Sequence, residues 1–120
     1  MATDKKTVLI VDDEQSNIFA LSAVLIPRGF TCTAALNGEQ CLNILSERTA
    51  FDIILMDIMM PFMDGIETIQ MIRELPQYKN TKIIVITADD NPALRLRSMA
   101  VGANGFLNKP IDVDKLVALF

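Results

Sequence analysis

Short apolar runs rich in β-branched residues alternate along this chain with segments of helical pattern, and this alternation limits the possible folds more than any other feature. The clearest runs are Val8–Val11, Ile53–Met56 and Ile83–Ile86. Nearly unbroken apolar runs of this length are typical of strands that are buried on both faces of a parallel sheet. The helical segments then serve as crossover connections, so the pattern predicts an α/β fold with a doubly wound parallel sheet. We place the five strands at roughly residues 7–12, 30–35, 52–57, 82–87 and 104–108.

Proline, glycine and capping residues predict where the helices begin and end. Asn91 followed by Pro92 is typical of an N-cap and a first helical position, and Gly102 is placed to end the same helix. The remaining expected boundaries are the end of the first helix at Pro27 and Gly29, the start of the third at Asp64-Gly65 and the start of the fifth at about Asp112.

The length of the chain fits a single domain. A chain of 120 residues can bury one core, and residues 1–6 are expected to form a flexible N-terminus. The fifth helix is short, which suggests a domain cut from a larger protein. No apolar run reaches the roughly 20 residues of a membrane span, and no signal-peptide segment is apparent. We therefore expect a cytoplasmic protein without membrane insertion.

Charge and residue content exclude several classes of function. The net charge is −4 and the basic residues are scattered, so direct nucleic-acid binding is not expected. The chain has no histidine, which excludes histidine-based triads, the usual zinc sites and a phosphohistidine within this chain. Cys32 and Cys41 lack the spacing of a metal site, and we expect both to be buried free thiols.

Polar residues follow four of the predicted strands at their carboxyl ends. Asp12-Asp13, Asp57, Thr87 and Lys109 each come at the end of an apolar run. Because the carboxyl ends of parallel strands share one edge of the sheet, these side chains are expected to meet there. Each residue alone has an ordinary interpretation, such as a helix-dipole partner, a loop cap or a surface lysine. Three clustered carboxylates, however, require a positive group between them, and oxygen ligands favour Mg²⁺.

The same edge carries the groups that phosphoryl transfer requires. A carboxylate oxygen of Asp57 can act as a nucleophile and form an aspartyl phosphate. The Thr87 hydroxyl and the Lys109 ammonium group can then interact with the phosphoryl oxygens. The sequence therefore predicts a magnesium-dependent phosphoryl-acceptor site.

Four stretches, in their order and spacing, resemble the receiver domain of two-component response regulators. The resemblance covers almost the whole chain and implies a flavodoxin-like fold, with five parallel strands in the order 2-1-3-4-5 and five helices. It further implies a phosphorelay domain that promotes its own aspartyl phosphorylation and dephosphorylation and is not a turnover enzyme. The four stretches are Val8–Glu14, Ile54–Gly65, Ile84–Ala88 and Gly102–Pro110.

The resemblance assigns roles to the acidic residues. It implies that Asp57 is the phospho-acceptor and that Asp12 and Asp13 hold Mg²⁺ directly or through water. Asp57 itself and the backbone carbonyl of Met59 are the further implied metal ligands. The side chains of Met59 and Asp89 are implied to flank the path of the water that removes the phosphoryl group.

The resemblance also implies how the phosphoryl group is sensed. Thr87 and Lys109 are expected to contact it, and the bond between Lys109 and Pro110 is expected to be cis. Phe106 takes the place of the family's switch aromatic, where tyrosine is frequent. Without a hydroxyl group, Phe106 can move inward behind Thr87 but cannot form the hydrogen bond of a tyrosine.

Two partner surfaces follow from the same resemblance. An output domain or target protein is expected to bind the face formed by the fourth helix, the fifth strand and the fifth helix, including Arg95, Met99 and Phe106. The phosphoryl donor is expected to be a sensor histidine kinase or a histidine phosphotransfer protein. Its expected docking surface is the loop after Lys109 together with Asn17, Ile18 and Leu21 of the first helix.

Three other functions are considered. A haloacid-dehalogenase-like phosphatase also uses an aspartyl phosphate, but it needs a second Asp two residues after the nucleophile, where this chain has Met59. A flavodoxin-like cofactor module needs a first loop of Ser, Thr and Gly, whereas Asp12-Asp13-Glu14-Gln15 would repel a bare phosphate. The third alternative is a receiver that no longer accepts phosphate and acts as a protein-interaction module.

Overall fold

Strands and helices alternate along the part of the chain that the structure describes, as predicted. The computed structural model describes residues 6–47, 51–59 and 64–120. Within these residues each strand begins and ends within one residue of its predicted position. The strands are β1 (Lys6–Val11), β2 (Phe30–Ala35), β3 (Ile53–Asp57), β4 (Lys82–Thr87) and β5 (Gly105–Asn108), and the helices are α1 (Gln15–Leu25), α2 (Gly38–Glu47), α3 (Gly65–Arg73), α4 (Pro92–Ala100) and α5 (Val113–Ala118).

The expected flexible N-terminus lies outside the described residues except for Lys6, which is the first residue of β1. None of the helices that the structure describes has the length and apolar character of a membrane span.

The five strands form one parallel sheet in the order β2-β1-β3-β4-β5, which confirms the predicted topology. In the register of this sheet, Val11 pairs with Met56, and Thr87 pairs with Asn108. The strand order reverses between β1 and β3, and open sheets of this kind bind ligands beside such a reversal. The carboxyl ends of β1, β3, β4 and β5 therefore lie side by side at one edge.

The core lies on both faces of the sheet, as the unbroken apolar runs predicted. Leu9 and Val11 of β1 belong to the cluster that also includes residues of α2 and α3, whereas Val8 and Ile10 belong to the cluster that includes residues of α1 and α5. All four side chains are at most 1% exposed. Burial of this interior strand holds its carboxyl end, and the residues that follow, in a fixed position.

The predicted capping residues do begin the helices. Asp64, Asn91 and Asp112 each accept a hydrogen bond from a backbone N–H in the first turn of α3, α4 and α5 respectively. The first helix differs slightly from the prediction. Its α-helical part ends at Leu25, and a short 3₁₀ turn continues to Gly29, whose φ of 96° is in the left-handed region.

The two thiols differ in exposure. Cys41 is buried, and burial raises the pKa of its thiol to about 12. Cys32 is only half-buried because it lies on β2, an edge strand of the sheet. Both cysteines are free. The prediction of two buried thiols is therefore right for Cys41 and wrong for Cys32.

Candidate functional site

Three carboxylates lie together at the carboxyl edge of the sheet. Asp12 and Asp13 follow β1, and Asp57 is the last residue of the neighbouring strand β3. One carboxylate oxygen from each residue lies within 4.8 Å of the other two. Asp12 is 3% exposed and Asp57 is 7% exposed, whereas Asp13 is exposed. The structure thus brings together the three acidic residues that the sequence singled out.

Backbone N–H groups fix the two buried carboxylates. Oδ1 of Asp12 accepts a hydrogen bond of 2.9 Å from the N–H of Glu14, and Oδ1 of Asp57 accepts one of 3.0 Å from the N–H of Met59. Both bonds join residues two apart, which is the pattern of an Asx turn. In each turn the side chain is held by the loop that follows its own strand. The second oxygen, Oδ2, of each carboxylate remains available to other partners.

Lys109 provides the positive charge at this edge. Its Nζ atom lies 3.3 Å from Oδ2 of Asp12 and 3.5 Å from Oδ2 of Asp57. Burial by itself lowers the pKa of Lys109, but the charges of Asp57 and Asp12 outweigh burial and the pKa is raised. The peptide bond between Lys109 and Pro110 is cis. Lys109 is therefore charged and lies between two of the three carboxylates.

The site carries more negative charge than Lys109 offsets. Burial raises the pKa of the Asp57 carboxyl and the charge of Asp12 raises it further, although the Met59 N–H and the Lys109 ammonium act in the opposite direction. An all-oxygen set of three carboxylates within 4.8 Å of one another is the type of donor set that Mg²⁺ prefers. The residues present therefore fit this ion.

Thr87 is the last residue of β4, next to β3 in the sheet, and it is completely buried. Its carbonyl oxygen accepts a hydrogen bond of 2.8 Å from the N–H of Lys109. Its hydroxyl oxygen accepts one of 3.2 Å from the N–H of Asp89. Thr87 and Lys109 thus lie at the ends of adjacent strands, as predicted.

The expected switch and output residues lie on the side of α4 and β5. Phe106 of β5 pairs with Val85 and packs, half-buried, against the core cluster that includes residues of α2 and α3. On α4, Arg95 is exposed and Met99 is 43% exposed. The two helix residues are therefore available to a partner.

The expected docking surface is only partly as predicted. Asn17 and Leu21 of α1 line a groove of about 340 Å³ together with Lys109 and the residues that follow it. Ile18 does not contribute, because it is only 9% exposed and belongs to the core cluster beneath α1. The prediction for Ile18 is wrong because α1 is apolar on several sides. Phe19, the next residue, is 76% exposed.

Met59 lies beside Asp57, and its side chain is 60% exposed. Residues 60–63, which belong to one of the stretches that carry the resemblance, lie outside the described residues. Because a thioether cannot act as a general acid, this position does not supply the group that a haloacid-dehalogenase-like phosphatase needs.

Two residues near the site were missed by sequence reasoning. Gly65 was interpreted only as a helix start, yet a Cβ atom there would lie 2.6 Å from the carbonyl oxygen of Asp57. Asn108 was not singled out, although its side-chain N–H donates to the carbonyl oxygen of Asp89 at 2.8 Å. The available signals were a glycine directly after a capping aspartate and an amide directly before Lys109.

Comparison with known proteins gives consistent matches over nearly the whole chain. Residues 8–120 match the family described as the response regulator receiver domain. The probable chemotaxis protein CheY of Rhizobium etli is 38% identical over 116 residues, which are 96% of this chain and 89% of that protein. The transcriptional regulatory protein CpxR of Escherichia coli is 34% identical over 92% of this chain, which spans 46% of CpxR. The structure of Vibrio cholerae CheY4 has a TM-score of 0.89 at 33% identity, covering 96% of this chain and 95% of that one.

Proposed function

This chain belongs to the response regulator receiver domain family, and on that basis we propose that Asp57 accepts a phosphoryl group from a phosphohistidine on a partner protein. The main support is the state of the Asp57 carboxylate. It is 7% exposed, it has both Asp12 and Asp13 within 4.8 Å, and among the described residues one ammonium group, that of Lys109, contacts it. A purely structural buried acid would be fully paired, whereas this one has an excess of negative charge around it.

The proposed step is a direct transfer between the two proteins. An oxygen of the Asp57 carboxylate forms a bond to phosphorus while the N–P bond of the phosphohistidine breaks. The electron pair of that bond stays on the imidazole nitrogen, and the imidazole, which carries a proton on its other nitrogen, leaves neutral. The chain itself has no histidine, so the donor is a separate molecule.

Neighbouring groups stabilise the transferred phosphoryl group. We assign the Lys109 ammonium, already between Asp12 and Asp57, and the hydroxyl of Thr87 to its oxygens. The proposed Mg²⁺ ligands are Asp12, Asp13, Asp57 and the backbone carbonyl of Met59. When bound, Mg²⁺ supplies positive charge that offsets the carboxylates and the phosphoryl oxygens.

We further propose the partners of this domain. The donor is a sensor histidine kinase or a histidine phosphotransfer protein that binds the groove lined by Asn17, Leu21 and Lys109. Phosphorylation changes the α4-β5-α5 face, where Arg95 and Met99 are exposed, and an output domain or target protein binds there. The proposed location of these events is the cytoplasm.

Intact-mass spectrometry tests the proposal directly. The protein is incubated with acetyl phosphate, with and without Mg²⁺, as wild type, as Asp57→Asn and as Asp52→Asn. Asp52 is the matched control, because it precedes β3 at the opposite edge of the sheet and its carboxylate binds the N–H of Thr7 at 2.8 Å. We expect one magnesium-dependent phosphoryl adduct in the wild type and in Asp52→Asn, and none in Asp57→Asn.

Two results would contradict the proposal. An adduct that persists in Asp57→Asn would place the phosphoryl group on another residue. No adduct on a folded wild-type protein that binds Mg²⁺ would favour the protein-interaction module that does not accept phosphate.

A further inference from the structure

We propose that Asn108 is a positioning residue for the phosphoryl-acceptor site. Its side-chain amide holds the loop between β4 and α4, and this loop in turn orients the hydroxyl group of Thr87. The reaction part of this inference rests on the proposed function, whereas the loop contact can be tested in the protein alone.

The Asn108 amide bridges the ends of two strands. Asn108 is the last residue of β5 and pairs with Thr87, the last residue of β4. Its Nδ2 atom donates to the carbonyl oxygen of Asp89 at 2.8 Å and lies 3.5 Å from that of Thr87. Both neighbours are acceptors, so this position needs an N–H donor, which an aspartate or a leucine does not have.

Asp89 links this amide to Thr87. The carbonyl of Asp89 accepts from Asn108, while its N–H donates to the Thr87 hydroxyl oxygen at 3.2 Å. The carboxylate of Asp89 also accepts a hydrogen bond of 2.9 Å from the N–H of Asn91, the N-cap of α4. In the part of the chain that the structure describes, Asn108 supplies the one side chain from another strand or helix that bonds residues 88–90.

These contacts determine where the hydrogen of the Thr87 hydroxyl group points. Its oxygen already accepts from the Asp89 N–H, and no described residue accepts its hydrogen. Thr87 is completely buried, so bulk water does not compete for this group. Holding Asp89 in place therefore directs the hydroxyl hydrogen away from the loop and leaves it free for an acceptor in the site. Loss of the Asn108 amide removes that constraint.

The first test concerns the protein without phosphate. The hydrogen-exchange rate of the Asp89 amide is measured by NMR in wild type, Asn108→Leu and Asn104→Leu. Asn104 is the matched control, because it precedes β5 at the other edge of the sheet and accepts hydrogen bonds of 2.8 Å from Ile83 and Arg73. Asn108→Leu should raise the exchange rate of the Asp89 amide about three- to tenfold, which is the change expected when the single hydrogen bond from Asn108 that holds the loop is lost. After correction for global stability, Asn104→Leu should leave it unchanged.

The second test concerns the reaction. With acetyl phosphate and Mg²⁺, Asn108→Leu should slow adduct formation about three- to tenfold, while Mg²⁺ affinity stays unchanged because the metal ligands are untouched. Asn104→Leu should react at the wild-type rate. Since Asn108 acts through Thr87, adding Asn108→Leu to Thr87→Ala should cause no further loss. Asn108→Gln, which keeps the amide, should recover part of the rate.

Several outcomes would overturn the inference. Unchanged exchange at Asp89 in Asn108→Leu would show that the amide does not hold the loop. An unchanged or faster reaction in Asn108→Leu would show that the loop does not act through Thr87. The same conclusion would follow if Asn108→Leu slowed the reaction of Thr87→Ala as much as it slows that of the wild type. If the wild type forms no adduct, the proposed function and the role of Asn108 in it both fail, while the exchange rates still decide whether Asn108 holds the loop.

Discussion

Charged side chains are paired differently at the two edges of the sheet, the carboxyl edge where the parallel strands end and the amino edge where they begin. At the carboxyl edge, Asp12 and Asp57 lie close together and share the ammonium group of Lys109. At the amino edge, the charged side chains of Arg73 and Asp52 bind mainly to neutral backbone and side-chain groups. The first edge keeps like charges in repulsion, whereas at the second Arg73 and Asp52 each have neutral hydrogen-bond partners.

At the amino edge, the polar atoms of Arg73 and Asp52 form several hydrogen bonds to neutral groups. The guanidinium group of Arg73, at the end of α3, donates to the carbonyl oxygens of Gly102 and Tyr78 and to the Asn104 side chain, each at 2.8 Å. Asp52 accepts from both the N–H and the hydroxyl of Thr7, at 2.8 and 3.2 Å. These bonds connect α3, the loop before β5 and the starts of β1 and β3.

The difference indicates that the polar groups of the amino edge contribute to stability, whereas those of the carboxyl edge serve the reaction. Polar groups with neutral partners hold the elements together and have little left to offer a ligand. Polar groups held close to like charges cost stability until a ligand supplies the missing charge. Changes at the amino edge should therefore affect folding alone, and changes at the carboxyl edge should affect the reaction.

The largest expected effect tests the amino edge. Arg73→Met should lower the free energy of unfolding by about 2–4 kcal/mol, because several hydrogen bonds from a charged donor are lost. The rate of adduct formation with acetyl phosphate should be unchanged at a temperature where the variant is folded. Urea denaturation and intact-mass spectrometry measure the two quantities. Arg95→Met, which removes an exposed arginine, is the control and should change neither.

A change at the boundary between site and core should affect both quantities. In Gly65→Ala the new Cβ would lie 2.6 Å from the backbone of both Asp57 and Ile58, so the strand end must move. We expect a loss of about 1–3 kcal/mol in stability and slower phosphorylation by about tenfold or more.

Gly29→Ala is the matched control for this glycine. It also costs stability, because Gly29 has a φ of +96°, but nothing lies within 4 Å of its Cβ position. Its phosphorylation rate should stay at the wild-type value. Equal slowing in both variants would mean that stability, and not the position of Asp57, limits the reaction.

The smallest expected effect has the opposite sign. Because burial raises the pKa of Asp57, the folded state holds a proton on this carboxyl more tightly than the unfolded chain does. The resulting loss of stability begins as pH rises above the ordinary carboxyl pKa, about 4, and is complete once pH exceeds the raised value. In EDTA at neutral pH, Asp57→Asn should therefore be slightly more stable than wild type, and the difference should disappear on acidification to about pH 4.

Urea denaturation across this pH range measures the difference. Asp52→Asn, at the amino edge, should not gain stability at neutral pH. Added Mg²⁺ should stabilise the wild type and not Asp57→Asn, which reverses their order. A less stable Asp57→Asn in EDTA would contradict the view that the carboxyl edge carries unrelieved repulsion.

The sequence predicts the sheet and its charged edge because both depend on local patterns. Apolar runs end at Val11, at Met56 and at Ile86, so the residues that follow are known to lie at strand ends once the strands are taken as parallel. The cluster of Asp12, Asp13 and Asp57 follows from this. The metal and the phosphoryl group stay predictions from the residue types at this edge and from the resemblance, and the partners stay predictions from the resemblance alone.

Local sequence patterns could not predict contacts between residues that are far apart in the sequence. Arg73 and Gly102 are 29 residues apart, and Asn108 and Asp89 are 19 apart. Neither pair has a periodicity that brings its members together. The misplacement of Ile18 has a different cause, since a helix that is apolar on several sides gives no clear direction for its buried face.

The contact between Lys109 and Asp12 joins residues 97 positions apart, and it has a consequence for protein synthesis. Every other residue assigned to the phosphoryl group or the metal is translated before Lys109. A growing chain therefore carries the aspartates long before it carries the cation that completes their environment. Under the proposed function, a chain can therefore accept a phosphoryl group with its full set of charged partners only after Lys109, which follows β5, has been translated and folded into place.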